Sequence, residues 1–377
     1  MDYDVIIVGA GSMGMAAGYY LARDGKRVLL LDAHDPPHTE GSHHGETRII
    51  RHAYGEGESY VSMALRAQVL WNELQNLSGE ELFINTGVLT VARPESKFMQ
   101  NVLRSAEAYG LNVEQLAAEE INFRWNGFKV PEGYIGCHEL ESGVLMSENC
   151  IRAFKVQALK HGAILKVHTP ATAISVFDKH VEVAAGSESF TADSLIVAPG
   201  AAARKLLSMI GLSLPLEELR TSFSWFKTDE RIYSAEGFPA YLFELPAEMY
   251  YGFPSINGTG VKIGRHDGGR LRDMQKPPEA FGTYEQDQQD VAGFAERCLP
   301  KVGKHHSGKT CSYTNTPDGD FIIDQHPDYP HIVLACGFSC HGFKFSSVVG
   351  EILSELVTGD RKSVLDIRPF SIHRFEK

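Results

Sequence analysis

DVIIVGAGSMGMAAGYYLARDGKRVLLLD, residues 4–32, is the stretch that decides the fold. Residues 5–8 are a short apolar run, as in a strand buried on both faces. The run breaks at Gly9, Gly11 and Gly14, spaced as G-x-G-x-x-G. An amphipathic segment follows, closed by Gly25, and a second apolar run, residues 28–31, stops at Asp32. Strand, glycine turn, helix and strand form a βαβ unit of about 30 residues that carries a dinucleotide fingerprint. Gly9 permits the tight turn, Gly11 lets a pyrophosphate approach the backbone, and Gly14 lets helix and strand pack closely. The phosphates would sit on the free N–H groups at the positive end of the helix. Asp32 would accept a hydrogen bond from the ribose 2′-hydroxyl. A carboxylate there disfavours a 2′-phosphate, so FAD or NAD fits better than NADP.

Working outward, the chain has 377 residues, 43% of them hydrophobic, which suffices for a large core and two domains. Its formal net charge of −12 repels phosphate backbones and argues against nucleic acid as a partner. No apolar stretch approaches the roughly 18 residues of a membrane span. The chain enters its first strand at once, with no room for a signal peptide, so a cytoplasmic protein is expected. The six cysteines (Cys137, Cys150, Cys298, Cys311, Cys336 and Cys340) form no CxxC pair and no zinc-like set with histidine. Reduced, mostly buried thiols are the expectation, and no metal.

After Asp32 comes a polar, glycine-rich stretch without a clear period, AHDPPHTEGSHHGETRIIRHAYGEGESY. So long a loop in a compact protein points to function or disorder. Its His43, His44, Arg48, Arg51 and His52 favour function. Helical spacing marks residues 60–78 and 96–109; residues 85–92 alternate like a strand; residues 120–146 read as irregular. Ser147 with Glu148 opens a helix that Gly162 ends. Strands are expected over 163–168, 171–177 and 181–185, the last two flanking a hairpin turn at 178–180. SLIVA, residues 194–198, is another buried strand. From about residue 216, aromatic-rich strand candidates at 221–226, 240–245, 249–253 and 260–265 suggest an antiparallel sheet. Residues 277–298 read as polar loop and helix, 321–324 and 331–335 as strands, and 346–356 as a final helix. Parallel-type strands thus lie at the start, middle and end, with antiparallel-type strands in two blocks between them. The fold class is α/β and α+β: a discontinuous Rossmann-like nucleotide domain (residues 1–82, 147–215 and 310–377) and a mixed or antiparallel-sheet substrate domain (83–146 and 216–309).

Four further segments bear on chemistry. In SLIVAPGA, 194–201, a small-residue turn either lets a backbone approach a nucleotide or merely ends a strand. CGFSCHGFKFSSVVGEIL, 336–353, runs through a glycine-spaced turn into a helix whose N-terminus carries positive potential. Its Lys344, taken alone, reads as a solvated surface residue. KTCSYTNTPDGDFIID, 309–324, reads as a loop leading into a strand, with Cys311 an ordinary buried thiol by its residue type. YYGFPSINGTGVKIGRHDGG, 250–269, is a hairpin. There Lys262, Gly264 and His266 share one face, either the solvent face or an interior one where a lysine needs a task.

Taken together, GAGSMGMAAGYYLA, DPPHTEGSHHGETRIIRHAYGEGE, YYGFP, VKIGRHDGG, CSYTNTPDGDFIID and HGFKFSS resemble the monomeric sarcosine oxidase family, which includes N-methyltryptophan oxidase. The likeness runs from end to end, and residues 35–58 are its longest specific match. It implies a fold like that of p-hydroxybenzoate hydroxylase, with an FAD domain and a mixed-sheet substrate domain. It implies oxidation of a secondary amine on an amino acid: a hydride leaves the N-methyl carbon for FAD. The imine then hydrolyses to formaldehyde and the free amino acid, and oxygen becomes hydrogen peroxide. Through the resemblance, Cys311 matches the cysteine that forms the 8α-thioether to FAD. Arg51 and Lys344 match the pair that holds the substrate carboxylate. Lys262 matches the lysine that activates oxygen. Tyr251 and His266 match pocket residues, and Thr47 and Arg48 residues beside the flavin ring. Ser42, Gly342 and Lys344 complete the expected cofactor contacts, with Gly9, Gly11, Gly14 and Asp32.

The chain departs from the family pattern at Ala202, where relatives often carry Trp, at Cys340, which replaces a Gly, and at Arg265, which replaces a Tyr. These departures bear on the substrate's side chain rather than on the reaction. The expected function is an FAD-dependent oxidase of N-methyl amino acids, sarcosine first, acting as a monomer on a small amino acid and oxygen. N-methyl-L-tryptophan and fructosyl amino acids are the alternative substrates. An NAD-dependent dehydrogenase and a non-catalytic binding protein are the alternative classes.

Overall fold

The computed structural model describes residues 1–273, 276, 279–360 and 365–375. Residues 277 and 278 of the expected loop before the late helix lie outside the described residues. In chain order the elements begin with β1 (Tyr3–Val8), α1 (Ser12–Arg23), β2 (Val28–Leu31), β3 (Thr47–Ile50), α2 (Ser59–Ser78), β4 (Phe83–Ile84), β5 (Val88–Ala92) and α3 (Lys97–Ala108). Next come β6 (Val113–Ala117), α4 (Ala118–Arg124), β7 (Ile135–Glu139), β8 (Gly143–Met146), α5 (Ser147–Lys160), β9 (Ile164–Lys166), β10 (Ala171–Val176), β11 (Val181–Ala185) and β12 (Glu188–Val197). The remainder are α6 (Ala203–Met209), β13 (Glu217–Phe226), α7 (Glu230–Tyr233), β14 (Ala240–Leu245), β15 (Glu248–Phe253), β16 (Val261–Arg265), β17 (Arg270–Leu271), α8 (Gln286–Cys298), β18 (His305–Asn315), β19 (Ile322–Gln325), β20 (Ile332–Cys336) and α9 (Ser346–Thr358).

The first sheet has eight strands. Its parallel centre is β9, β2, β1, β12 and β20, with Val5 opposite both Val28 and Ser194. Antiparallel β11, β10 and β19 complete it. Both faces are covered, which is why β1 and β2 read as unbroken apolar runs. Val5 and Ile7 pack with α1, α2, α5 and α9, whereas Ile6 and Val8 pack with β11, α6 and their neighbours. The glycine turn behaves as its spacing predicts. Gly9 has φ +94°, and a Cβ there would lie 2.2 Å from the Ala198 carbonyl oxygen. A Cβ on Gly14 would lie 1.9 Å from the Gly9 carbonyl oxygen, so helix and turn meet only without one.

The second sheet has nine strands, ordered β17-β13-β16-β15-β14-β5-β7-β6, with β18 on the other edge of β13. Its aromatic core includes Tyr241, Phe243, Tyr250 and Phe294 of α8. The antiparallel hairpins expected after residue 216 are present, together with a parallel pairing of β14 to β5. A small third sheet, β3-β8-β4, joins residues 47–50 to 143–146 and 83–84.

Three readings are corrected. Residues 120–146 are not irregular, since they hold the end of α4 and all of β7 and β8. The loop after Asp32 contains β3, which is a strand because β8 pairs with it. Residues 309–315 belong to an eleven-residue strand, β18, and not to a loop. β18 pairs along its length with β13 and runs across position 310. Its polar residues carry little strand signal; cross-strand pairing supplies what propensity does not.

Candidate active site

The site lies where the two large sheets meet. A cavity of about 460 Å³ is lined by Gly9, Gly11 and Asp32, by Ser42, His43 and Arg48, and by Arg51, Tyr251, His266, Cys340, Gly342 and Lys344. One space therefore connects the dinucleotide turn to the cationic residues. Among the described residues no cluster has the make-up of a metal site, and no helix is long and apolar enough to cross a membrane.

At the dinucleotide end, a Cβ on Gly11 would meet nothing nearer than His43 Nδ1 at 3.8 Å, which leaves room for a phosphate against the backbone. The first-turn amides of α1 have no carbonyl partner within the helix. Asp32 lines the cavity, but both its oxygens are engaged: Ala10 N–H donates to one at 2.7 Å and His34 N–H to the other at 2.9 Å. Burial works to raise its pKa, and these hydrogen bonds, with that from His38, bring it below the ordinary carboxylate value.

The segment between β2 and β3 forms a strap over the middle of the cavity. Arg48 ties it together by donating to the carbonyls of Thr47, Ser42 and His44. The Ser42 hydroxyl donates to the Ser312 carbonyl at 2.6 Å, fastening the strap to β18. Cys311, one residue earlier, is buried with its thiol 3.7 Å from the Ser42 carbonyl oxygen, packed with Phe223 and Trp225. It does not line the cavity itself. Burial raises its pKa, while Arg48 and Lys262 act in the opposite sense.

Lys262 is 2% exposed, so β16 presents it to the interior and not to solvent. Its Nζ donates to the Gly45 carbonyl at 2.6 Å and to the Thr47 carbonyl at 3.1 Å, and lies 3.2 Å from the Thr47 hydroxyl. Phe223 and Phe253 each present a ring centroid 4.6 Å away. Burial, then Arg48, hold its pKa well below the ordinary lysine value. Lys262 and Thr47 stand behind the strap, outside the cavity lining.

At the far end, Arg51 and Lys344 are both buried. Arg51 Nη2 donates to both carboxylate oxygens of Glu56, at 2.5 and 2.6 Å, and its guanidinium lies 4.1 Å from the Tyr54 ring centroid. Burial opposes the charge of each partner, but the pairing prevails. Arg51 lies above its ordinary pKa, and Glu56 is drawn down to about 2. Lys344 Nζ donates to the His341 carbonyl at 2.7 Å and to the Tyr54 hydroxyl at 3.1 Å. Burial, then the Arg51 charge, push its pKa down to about 7. Beside them Cys340 Sγ lies 3.1 Å from His266 Nε2. Burial raises the Cys340 thiol to about 12 and lowers His266.

The sequence reading did not single out Glu56, Tyr54 or His341 as site residues. Each works through a partner: Glu56 pairs with Arg51 five residues before it, and Tyr54 OH is 2.8 Å from His341 Nδ1 across 287 positions. The density of charge and histidine in residues 35–58 was the available signal, and it marked the segment without naming its pairs.

The FAD dependent oxidoreductase family model matches residues 4–356, and the chain belongs to that family. Its relatives include monomeric sarcosine oxidase from Arthrobacter sp. (strain TE1826), 48% identical over 377 residues, covering 99% of this chain and 96% of that one. The N-methyl-L-tryptophan oxidase of Citrobacter koseri is 41% identical over 376 residues and the whole of both chains. In fold the chain is similar to L-proline dehydrogenase from P. horikoshii, with a TM-score of 0.87 at 20% identity, covering 99% of this chain and 97% of that one.

Proposed function

We propose that this chain is an FAD-dependent oxidase of secondary N-methyl amino acids, with sarcosine its first substrate. The observation that carries the reading is one cavity that joins the dinucleotide turn to two buried cations, Arg51 and Lys344. The cavity is suited to a dinucleotide at one end and to an amino-acid carboxylate at the other. The bare space over Gly11, beside unpaired helix amides, fits the FAD pyrophosphate. The chemistry that FAD supplies when bound is acceptance of a hydride and transfer of the electrons to oxygen.

The chain's own residues then have the following tasks. Arg51 and Lys344 hold the carboxylate, which fixes the amine with respect to Tyr251 and His266. Arg51 does so by exchanging Glu56 for the substrate. Lys262, fixed by carbonyls and aromatic faces, stabilises negative charge developing on oxygen. Arg48, Ser42 and Gly342 line the space for the ring, Thr47 backs it from behind the strap, and Cys311 forms the thioether to FAD. The products are glycine, formaldehyde and hydrogen peroxide. The two-domain division at residues 1–82, 147–215 and 310–377 against 83–146 and 216–309, shifted at 310 so that β18 stays whole beside β13, a monomeric state and a cytoplasmic location belong to the same reading.

The test is a hydrogen peroxide assay with sarcosine, N-methyl-L-tryptophan and fructosyl-glycine. Sarcosine should give the highest kcat/KM. A clear preference for N-methyl-L-tryptophan would move the assignment to the neighbouring enzyme, and no peroxide from any of the three would refute the oxidase.

A further inference from the structure

We propose that His43 binds the pyrophosphate of FAD as a neutral donor, through Nδ1–H. This rests on the chain holding FAD and not on which amine it oxidises.

His43 is 3% exposed, in the strap between β2 and β3. Its Nε2 lies 3.0 Å from the backbone nitrogen of His38, which can only donate. Nε2 is therefore the acceptor and carries no proton. Burial, then the charges of His38 and Arg48, lower the pKa of the ring to about 3, in keeping with that neutral form. A neutral imidazole has one N–H, and here it must be on Nδ1.

That Nδ1 has no hydrogen-bond partner among the described residues, and its ring lines the cavity. It faces Gly11, 3.8 Å from where a Cβ on that residue would stand. An imidazole N–H and the free amides at the start of α1 thus converge on the space that Gly11 keeps bare. A site made of neutral donors at a helix N-terminus suits a diphosphate. Arg48 of β3, beside the strap, is engaged elsewhere, since it already donates to three carbonyls.

The ring is also held in position. A Cβ on Gly41 would lie 2.5 Å from His43 Cε1, so Gly41 must be bare to admit the ring. The His38 ring packs edge-on at 4.9 Å, and His38 Nε2 lies 3.5 Å from Asp32. Asp32, just after β2, thus touches the His38 ring that packs on His43.

The test uses two amides that differ in where they place a donor. His43→Asn keeps an N–H near the Nδ1 position, while His43→Gln moves it towards the Nε2 position. Both are made in the full chain with Cys311→Ala, so that flavin binds reversibly. Apoprotein is titrated with FAD and with riboflavin, which lacks phosphate, by quenching of flavin fluorescence. His43→Gln should weaken FAD binding about 10- to 100-fold, the loss expected for one hydrogen bond to a charged group. His43→Asn should stay within about threefold, and neither should change riboflavin binding. FAD binding by His43→Gln equal to that of the parent would overturn the proposal. So would an equal loss for riboflavin, which would signal general distortion. Failure of the Cys311→Ala parent to bind FAD would overturn the cofactor site itself, a separate result.

Discussion

Glu56 occupies the Arg51 guanidinium, which in the proposed reading would hold the substrate carboxylate, so Glu56→Gln should trade stability for affinity. The ion pair is well shielded: the Arg51 side chain is 3% exposed and that of Glu56 23%. The Glu56 pKa falls from 4.5 to about 2. At about 1.4 kcal/mol per pKa unit, the folded state favours ionised Glu56 by roughly 3 kcal/mol. Glutamine removes the charge but keeps one acceptor, and Arg51 retains the Ala53 carbonyl at 3.2 Å and the Tyr54 ring. The expected loss is therefore about 2 to 3 kcal/mol at pH 7 by denaturant unfolding. The sign of its pH dependence follows from the lowered pKa. The contribution is complete above about pH 4.5 and disappears as pH falls towards 2, so parent and variant should converge in acid. Binding should change in the other direction. With no carboxylate to displace from Arg51, acetate should bind about tenfold tighter or better, about 1.4 kcal/mol, read from the flavin absorbance. A destabilised variant that binds acetate no more tightly than the parent would refute the exchange of Glu56 for substrate.

If Lys262 has its proposed role towards oxygen, Lys262→Met should slow reoxidation of reduced flavin roughly a hundredfold or more; stopped-flow reoxidation at the parent's rate would exclude the role. The Lys344 pKa of about 7 predicts that acetate binding is strongest below pH 7 and weakens as pH rises through it, when the ammonium loses its proton. Lys344→Arg should flatten that profile, which a titration series from pH 6 to about 9 would check. Acid-precipitated protein should form a yellow pellet and Cys311→Ala a colourless one; free flavin in the supernatant of the parent would eliminate the thioether.

Much of the scaffold was legible because it depends on short-range pattern. The β1-α1-β2 unit, the starts of α2, α3 and α5, and the β14-β15-β16 meander follow from apolar period, caps and turns within about 20 residues of chain. The strands that escaped notice depend on distant partners. β3 is four residues in a polar loop, and becomes a strand against β8 almost a hundred positions later. β18 is mostly polar, yet its pairing with β13 sets Cys311 opposite Thr221. The interior position of Lys262 could not be chosen from alternation, because period-2 spacing separates two faces without saying which one is covered.

Residues 4–32 alone determined that this protein carries a dinucleotide turn, since a G-x-G-x-x-G spacing between two apolar runs, the second ending at Asp32, marks it. The order of apolar and polar segments determined its class of fold. The end-to-end motifs determined its family. What only the tertiary structure decided is the state of each charged group: Arg51 paired with Glu56, Lys344 lowered by burial and by Arg51, Lys262 enclosed by aromatic rings, and His43 presented as a neutral donor. A residue's type sets which protons it has to give. Burial and the groups that folding brings within a few ångströms set whether it keeps them, and towards what they point.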